Sequence, residues 1–210
     1  METEKARNGN PILYGIARGF AWLMLRVLMP VRYHGKEKLS GLKGSFVLIS
    51  NHLHALDPLI LAYPIPEQCV FLGKKELGKN PVAAKVLNRL NCILVDRHNM
   101  DMEAMRACMK AIRAGKPLVI FPEGTRHHEG QMEQIENGTS LMVLRSGVPL
   151  IPVYLDRPMK FFRRSNAYVG DPIPYEDLRE QGVNRESSEA LNERMRETYR
   201  RMVSEYGSFS

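Results

Sequence analysis

The stretch "SNHLHALDP" (50–58) sets His52, His54 and Asp57 close together, directly after the apolar run "SFVLIS" (45–50). Core packing does not need so much titratable chemistry. Three arrangements could use it. The first is a metal site. Some metallohydrolases carry His-x-His-x-Asp-His after a strand, and His52 and His54 have the right mutual spacing. Leu56 and Asp57 stand where that pattern needs Asp and His, so further ligands would have to come from His127 and His128. The second is a helix start, with Ser50 or Asn51 as the cap and Pro58 in the first turn. It accounts for Asn51 and Pro58 and leaves His52 without a role. The third is a catalytic dyad. Asp57 folds back across a strand-to-helix turn onto one imidazole nitrogen of His52, which fixes the tautomer and stabilises the imidazolium. The other nitrogen can then take a proton from a hydroxyl, and the substrate alcohol is itself the nucleophile.

A second constellation weighs towards the dyad. "VIFPEGTR" (119–126) is another apolar run, and it ends in Pro122, Glu123, Gly124, Thr125 and Arg126. Glycine lets the backbone turn tightly against a ligand. Arginine offers a planar fork of donors that matches a phosphate. Alone, this would be a polar turn with an exposed arginine. Together with NHxxxxD after an earlier strand, it makes a two-part site at the C-terminal ends of strands, where open α/β sheets place ligands.

The elements that must position these residues alternate. Short runs rich in β-formers occur at 45–50, 69–73, 92–96, 118–122 and 149–155, with a weaker one at 166–170. Helical patterns lie between them at 81–90, 101–113 and 138–146. In 101–113, Met105, Cys108, Met109 and Ile112 follow helical spacing. Asn99 or Asp101 is placed to cap the start, and Gly115 with Pro117 ends it. A charged terminal helix is expected over 187–204, with Leu191, Met195, Tyr199 and Met202 on one side. The expected fold class is α/β, a largely parallel central sheet flanked by helices. The segment 156–165, "DRPMKFFRRS", reads as a loop whose Phe161 and Phe162 beside Arg163 and Arg164 either touch a membrane surface or bury one ring.

The chain has 210 residues and a formal net charge of +7. That size suits one domain with a sizeable core. A basic excess suits anionic partners or serves solubility. Cys69, Cys92 and Cys108 lack CxxC spacing and sit in apolar runs, which argues against a disulfide framework or a zinc site. Between Pro11 and Pro30, "ILYGIARGFAWLMLRVLM" has only Arg18 and Arg26 as charges and no small-residue cleavage site. Its eighteen residues would span about 27 Å as a helix, just short of a hydrocarbon core. A membrane-embedded or interfacial helix is expected, with both arginines snorkelling toward headgroups; a buried amphipathic helix of a soluble protein is the alternative.

Taken together, the blocks resemble the glycerolipid acyltransferase family, the lysophosphatidate acyltransferases. "NHLHALDP" is similar to the family's NHxxxxD block, and "FPEGTR" matches its phosphate-binding block letter for letter. "GKKEL" (73–77) with "NCILVDR" (91–97) looks like its intermediate block, and "VPLIPVYL" (148–155) like its last. The resemblance covers roughly residues 35–175. It implies transfer of a fatty acyl group from a thioester, on acyl carrier protein or coenzyme A, to the hydroxyl of a lysophospholipid. Carried over by position, His52 is the general base and Asp57 orients it. Arg126 binds the acceptor phosphate, with Glu123, Gly124 and Thr125 shaping that pocket. Lys74, Lys75 and Arg97 add positive charge around it, and the 148–155 strand forms core or acyl pocket. The acyl thioester is a co-substrate; no cofactor and no metal are implied. The partners are membrane lipid, a lysophospholipid acceptor and the carrier of the thioester, with no nucleic acid. The expected location is the cytoplasmic face of the cell membrane, peripheral or monotopic.

The expected organisation is a membrane-associated helix (1–30), an acyltransferase domain (31–180) and a C-terminal helical segment (181–210) that packs on the domain or extends from it. Glycerol 3-phosphate or another lysolipid is the alternative acceptor. A metal-dependent hydrolase and a non-enzymatic lipid-binding module are the readings from other classes. The chain departs from the family's pattern at His54, often a small polar residue. "GKKELGKNP" (73–81) lacks the aromatic usually seen after the leucine. Glu136 and Asn137 stand where lysines commonly precede the glycine.

Overall fold

Strands β2 (Val47–Ser50) and β6 (Leu150–Leu155) are buried at every position. Unbroken β-branched and apolar sequence of this kind forms strands that are covered on both faces. The structure is a computed structural model and describes residues 11–95, 102–125 and 132–207. With β1 (Val31–His34), β3 (Val70–Lys74), β4 (Cys92–Val95), β5 (Leu118–Ile120) and β7 (Ser165–Val169), these strands build one sheet of seven in the order β1-β7-β6-β2-β5-β3-β4.

The expected α/β fold is present, and the five strands from β6 to β4 run parallel. The far edge differs. β7 pairs antiparallel with β6, and β1 lies parallel to β7, so the last two strands run against the rest. The strand at 31–34 is not evident from the sequence. Its four residues, "VRYH", carry too little apolar periodicity to stand out, and pairing with β7 is what extends them.

Side chains alternate across the sheet and feed two cores. Val47, Ile49, Leu118, Leu150 and Tyr154 face one side, under α5 (Met102–Arg113), α6 (Asn137–Ser146) and α8 (Arg185–Tyr206). Leu48, Val119, Ile151, Val153 and Leu155 face the other, against α3 (Asp57–Ala62) and the segment ending at Met29. The expected stripe on α5 holds at Met105, Cys108 and Ile112, which are buried, whereas Met109 is only partly covered. Both of its candidate caps, Asn99 and Asp101, lie outside the described residues.

Helix α8 packs on the sheet. Leu191, Met195 and Tyr199 are fully buried, and the Tyr199 hydroxyl lies 2.8 Å from the carbonyls of both Ile49 and Val153. Its start is a capping box: Asn184 Oδ1 accepts from the Ser187 N–H, and Ser187 Oγ accepts from the Asn184 N–H. The remaining helices are α1 (Pro11–Leu23), α2 (Glu37–Ser40), α4 (Pro81–Arg89) and α7 (Glu176–Glu180).

The N-terminal segment is not one long rod. α1 has 13 residues and passes into a π-helical stretch of 5 residues, Met24–Leu28. Among the described residues no helix is long and apolar enough to cross a membrane. Met24, Leu25 and Met29 are buried in the second core, while Ile12, Ile16, Phe20, Trp22, Leu23 and Val27 are exposed. Arg18 departs from expectation: its guanidinium turns to the protein and donates to the carbonyls of Ile65 and Pro66. Arg26 is exposed.

Candidate active site

The two constellations meet because of the sheet. β2 and β5 are adjacent and parallel, with Ile49 opposite Ile120. The loops that follow them therefore leave the same edge side by side, the C-terminal edge that open α/β sheets use for ligands. Asn51 fixes where the first loop begins. Its Nδ2 donates to the Leu155 carbonyl at 2.9 Å, and its Oδ1 accepts from the Leu155 N–H at 2.8 Å. This corrects its candidate role as a helix cap: Asn51 extends the ladder across to the end of β6. Helix α3 instead begins at Asp57 after Leu56, which makes no side-chain cap, and Pro58 lies in its first turn as expected.

The backbone between Asn51 and Asp57 curls around one carboxylate. Asp57 Oδ2 lies 3.0 Å from His52 Nδ1 and accepts from the backbone N–H groups of Leu53 at 2.6 Å and His54 at 2.7 Å. Asp57 is 1% exposed and His52 17%. The carboxylate thus loses water and gains three donors, the condition under which a buried charge is tolerated. An imidazole that donates from Nδ1 presents Nε2 with its lone pair. That nitrogen has no hydrogen-bond partner among the described residues. The ring stacks on Phe121 with centroids 4.1 Å apart, which fixes its plane from the second loop.

The imidazole of His54 does not join this cluster. Its Nδ1 accepts from the Leu56 N–H at 3.2 Å and serves the turn. His127 and His128, the further ligands of the metal reading, lie outside the described residues. Among the described residues no group of three or more His, Cys, Asp or Glu side chains is arranged to hold a metal.

A cavity of about 350 Å³ opens beside His52 and Phe121. Its far walls are apolar: Leu59 and Ala62 from α3, Leu72 from β3, Leu87 from α4 and Cys92 from β4. Lys74, at the end of β3, contributes a cation to the lining, and Gly124 and Thr125 contribute the edge near the histidine. Gly124 has φ +70, a left-handed turn that glycine makes without strain.

The predicted site residues therefore divide. His52, Asp57, Lys74, Gly124 and Thr125 come together at one cavity. Glu123 is buried behind it rather than facing it, and its Oε2 accepts from the His52 N–H at 3.2 Å. Lys75 is exposed on the 3-10 turn Lys75–Lys79 and does not line the cavity. Arg97 and Arg126 lie outside the described residues. The strand 148–155 supplies core only; no residue of it lines the cavity.

Three residues of the site were given no such part by sequence reasoning. Phe121 stands in its block without a role, Asn51 is a candidate cap beside Ser50 only in the helix-start alternative, and Arg18, which reaches the cavity lining, is expected at the headgroups. Only Phe121 has a readable signal, as the bulky residue directly after a strand that ends at the site. Cys69, Cys92 and Cys108 form no disulfide. Cys92 lines the cavity, but burial pushes its thiol up to about 12, so it stays protonated and is a poor nucleophile at neutral pH.

A model of the acyltransferase family matches residues 30–156, a span that holds both His52–Asp57 and the Phe121–Arg126 block. The chain belongs to the acyltransferase family. Curated acyltransferases resemble it along different lengths. A 1-acyl-sn-glycerol-3-phosphate acyltransferase of Streptococcus pneumoniae is 24% identical over 210 residues, covering 96% of this chain and 77% of the relative. One from Borreliella burgdorferi is 33% identical over 122 residues, covering 57% of this chain and 49% of the relative. The match thus spans about half the length of that second acyltransferase. The fold is similar to the crystal structure of the 1-acyl-sn-glycerophosphate (LPA) acyltransferase PlsC from Thermotoga maritima, with a TM-score of 0.68 at 22% identity, over 95% of this chain and 81% of that one.

Proposed function

We propose that this acyltransferase moves a fatty acyl group from an acyl thioester to the sn-2 hydroxyl of 1-acylglycerol 3-phosphate, giving phosphatidic acid in phospholipid synthesis. The observation that carries the reading is His52, held through Nδ1 by buried Asp57, with Nε2 unpaired among the described residues at an apolar cavity. The names of the relatives supply the substrate class.

The acceptor hydroxyl gives its proton to His52 Nε2 as its oxygen attacks the thioester carbonyl. Asp57 stabilises the imidazolium that forms. The tetrahedral intermediate collapses, the C–S bond breaks, and the leaving thiolate takes the proton back from His52. Atoms and charge balance between the two substrates, and no protein nucleophile takes part. The cavity, close to the lower end of the size range of ligand pockets, holds an acyl chain against leucines. Lys74 meets anionic phosphate there, and by sequence position Arg126, Arg97 and Lys75 add to that charge. The exposed face of α1, with Ile16, Phe20 and Leu23, rests in the cytoplasmic interface of the cell membrane. The donor is acyl carrier protein or coenzyme A thioester.

The test is an acyl-transfer assay on purified protein in vesicles. Lysophosphatidic acid is offered with each donor, and phosphatidic acid is detected by mass. Wild type should form it, and His52→Ala should not. Arg126→Ala should raise the acceptor KM. Turnover of glycerol 3-phosphate or a neutral lysolipid in preference to lysophosphatidic acid would overturn the acceptor assignment and leave the chemistry standing.

A further inference from the structure

The loop between β6 and β7 carries chemistry that the reaction does not use. It reverses direction through a bridge between Lys160 and Arg163. Phe161 and Phe162 form its tip and are 62% and 78% exposed. Phe162 has φ +56, a left-handed conformation that is uncommon for a bulky residue. Its N–H donates to the Leu28 carbonyl at 2.7 Å, which ties the tip to the end of the N-terminal helical segment. Just past the tip, the Ser165 N–H donates to the Pro30 carbonyl at 3.0 Å, a second tie to the same segment.

Around the tip the charge is of one sign. Lys160, Arg163 and Arg164 are exposed and form no ion pair among the described residues. The nearest acid in the loop, Asp156, is buried and bonded to Asn166 and Arg157. Two adjacent exposed aromatics ringed by unpaired cations are unusual for a purely aqueous surface. They suit a bilayer interface, where aromatic rings sit at headgroup depth and lysine and arginine meet lipid phosphates. Val27, the neighbour of Leu28, is itself 52% exposed, so the tip continues the apolar surface of the N-terminal segment.

We infer that the Phe161–Phe162 tip, with Lys160, Arg163 and Arg164, is a second point of insertion into an anionic bilayer. It builds on the placement of α1 at the membrane proposed above. One helix leaves the domain free to roll about the helix axis. A second contact, tied to its end through Leu28, fixes the orientation.

Trp22 on α1 is the sole tryptophan of the chain and reports the first contact directly. The double substitution Trp22→Phe/Phe161→Trp moves the reporter to the loop. Each full-length protein is mixed with vesicles of brominated phosphatidylcholine and phosphatidylglycerol, and quenching of the indole is read. Quenching of the indole placed at 161 is expected. No quenching there, while Trp22 of the wild type is quenched, overturns the loop contact and leaves the α1 anchor standing. The reverse pattern upholds the loop and removes the anchor, and no quenching at either position overturns both. As a second measure, Phe161→Ser/Phe162→Asn should weaken partitioning onto these vesicles by about tenfold or more. Asparagine tolerates the left-handed backbone, so melting should be unchanged. Equal partitioning of a folded variant would also overturn the inference.

Discussion

The backbone N–H of His52 donates to the buried Glu123 carboxylate at 3.2 Å, which couples the loop after β2 to the loop after β5. His52, the proposed general base, is thus placed from two sides, through its ring by Asp57 and through its main chain by Glu123. In the proposed reaction Glu123 is a positioning residue.

Removing that acceptor should lower kcat more than it alters acceptor binding. Glu123→Ala should cost about tenfold or more in kcat, because the His52 N–H loses a charge-assisted partner and the ring shifts. Glu123→Gln keeps an oxygen at the position and should recover most of the loss. Steady-state kinetics with varied lysophosphatidic acid checks this. A raised acceptor KM with intact kcat would instead put Glu123 on the substrate.

Asp57→Asn should be more severe. The carboxylate oxygen that meets His52 also accepts two backbone N–H groups, and an amide has a single oxygen for all three. With that oxygen kept in place the three contacts persist but the negative charge is lost, so the imidazolium that forms on His52 is no longer stabilised, and kcat falls by about 10²–10⁴-fold. Turning the amide the other way leaves buried N–H groups unpaired, at about 1–3 kcal/mol. Kinetics and urea unfolding on the same preparation separate these two costs.

The dyad and the sheet were legible because their signals are local. A strand of unbroken apolar sequence shows by composition, and His52 with Asp57 shows by spacing across one turn. What stayed hidden depends on pairing between distant segments. β1 is a strand because β7 lies beside it, and Asn51 looks like a cap until Leu155, from the far end of β6, comes alongside. The sequence sets Arg18 against a bilayer because no acidic partner lies near it in the chain; the carbonyls of Ile65 and Pro66 reach it from another loop. The Glu123–His52 bond has the same origin, since it exists only once β2 and β5 are neighbours.

Asn51 makes its two bonds to the backbone of Leu155 in a fully buried site. Asn51→Ala should leave a buried N–H and a buried carbonyl unpaired and destabilise the fold by about 2–4 kcal/mol. Asn51→Asp puts a buried carboxylate oxygen against the Leu155 carbonyl, so at neutral pH it should cost at least as much as alanine. Chemical denaturation with a constant m-value would check the order.

Alkaline stability should fall in a definite window. Burial pushes the thiols of Cys92 and Cys108 from 9.0 up to about 12 in the folded chain. Below the unfolded value both states keep the proton and nothing changes. Above it the unfolded chain ionises while the folded chain does not, so folding stability drops as pH rises from 9 towards 12. The expected slope is about 1.4 kcal/mol per pH unit for each thiol. Cys92→Ala/Cys108→Ala should flatten that part of the profile by the contribution of both thiols. An unchanged slope would mean that the thiols already ionise in the fold.

Ala62 offers a test of what the cavity is for. It lies at the end of α3, buried at 7% exposure, and lines the cavity with Leu59 and Leu72. Ala62→Leu adds bulk where the acyl chain is proposed to lie. The larger side chain has open space to enter, so the stability cost should stay within about 1–3 kcal/mol, the usual range for overpacking. The His52–Asp57 pair is formed at the opposite end of α3 and should keep its geometry. Turnover of long-chain thioesters should therefore fall by about tenfold or more, while short-chain thioesters keep most of their rate, because only the longer chain competes with the new atoms for volume. Leu72→Ala, which enlarges the same wall, should shift preference the other way. Competition between two thioesters of different length in one reaction reads the ratio directly and cancels differences in active fraction. If both variants leave that ratio at the wild-type value, the acyl chain lies elsewhere, and the cavity is then the seat of the acceptor.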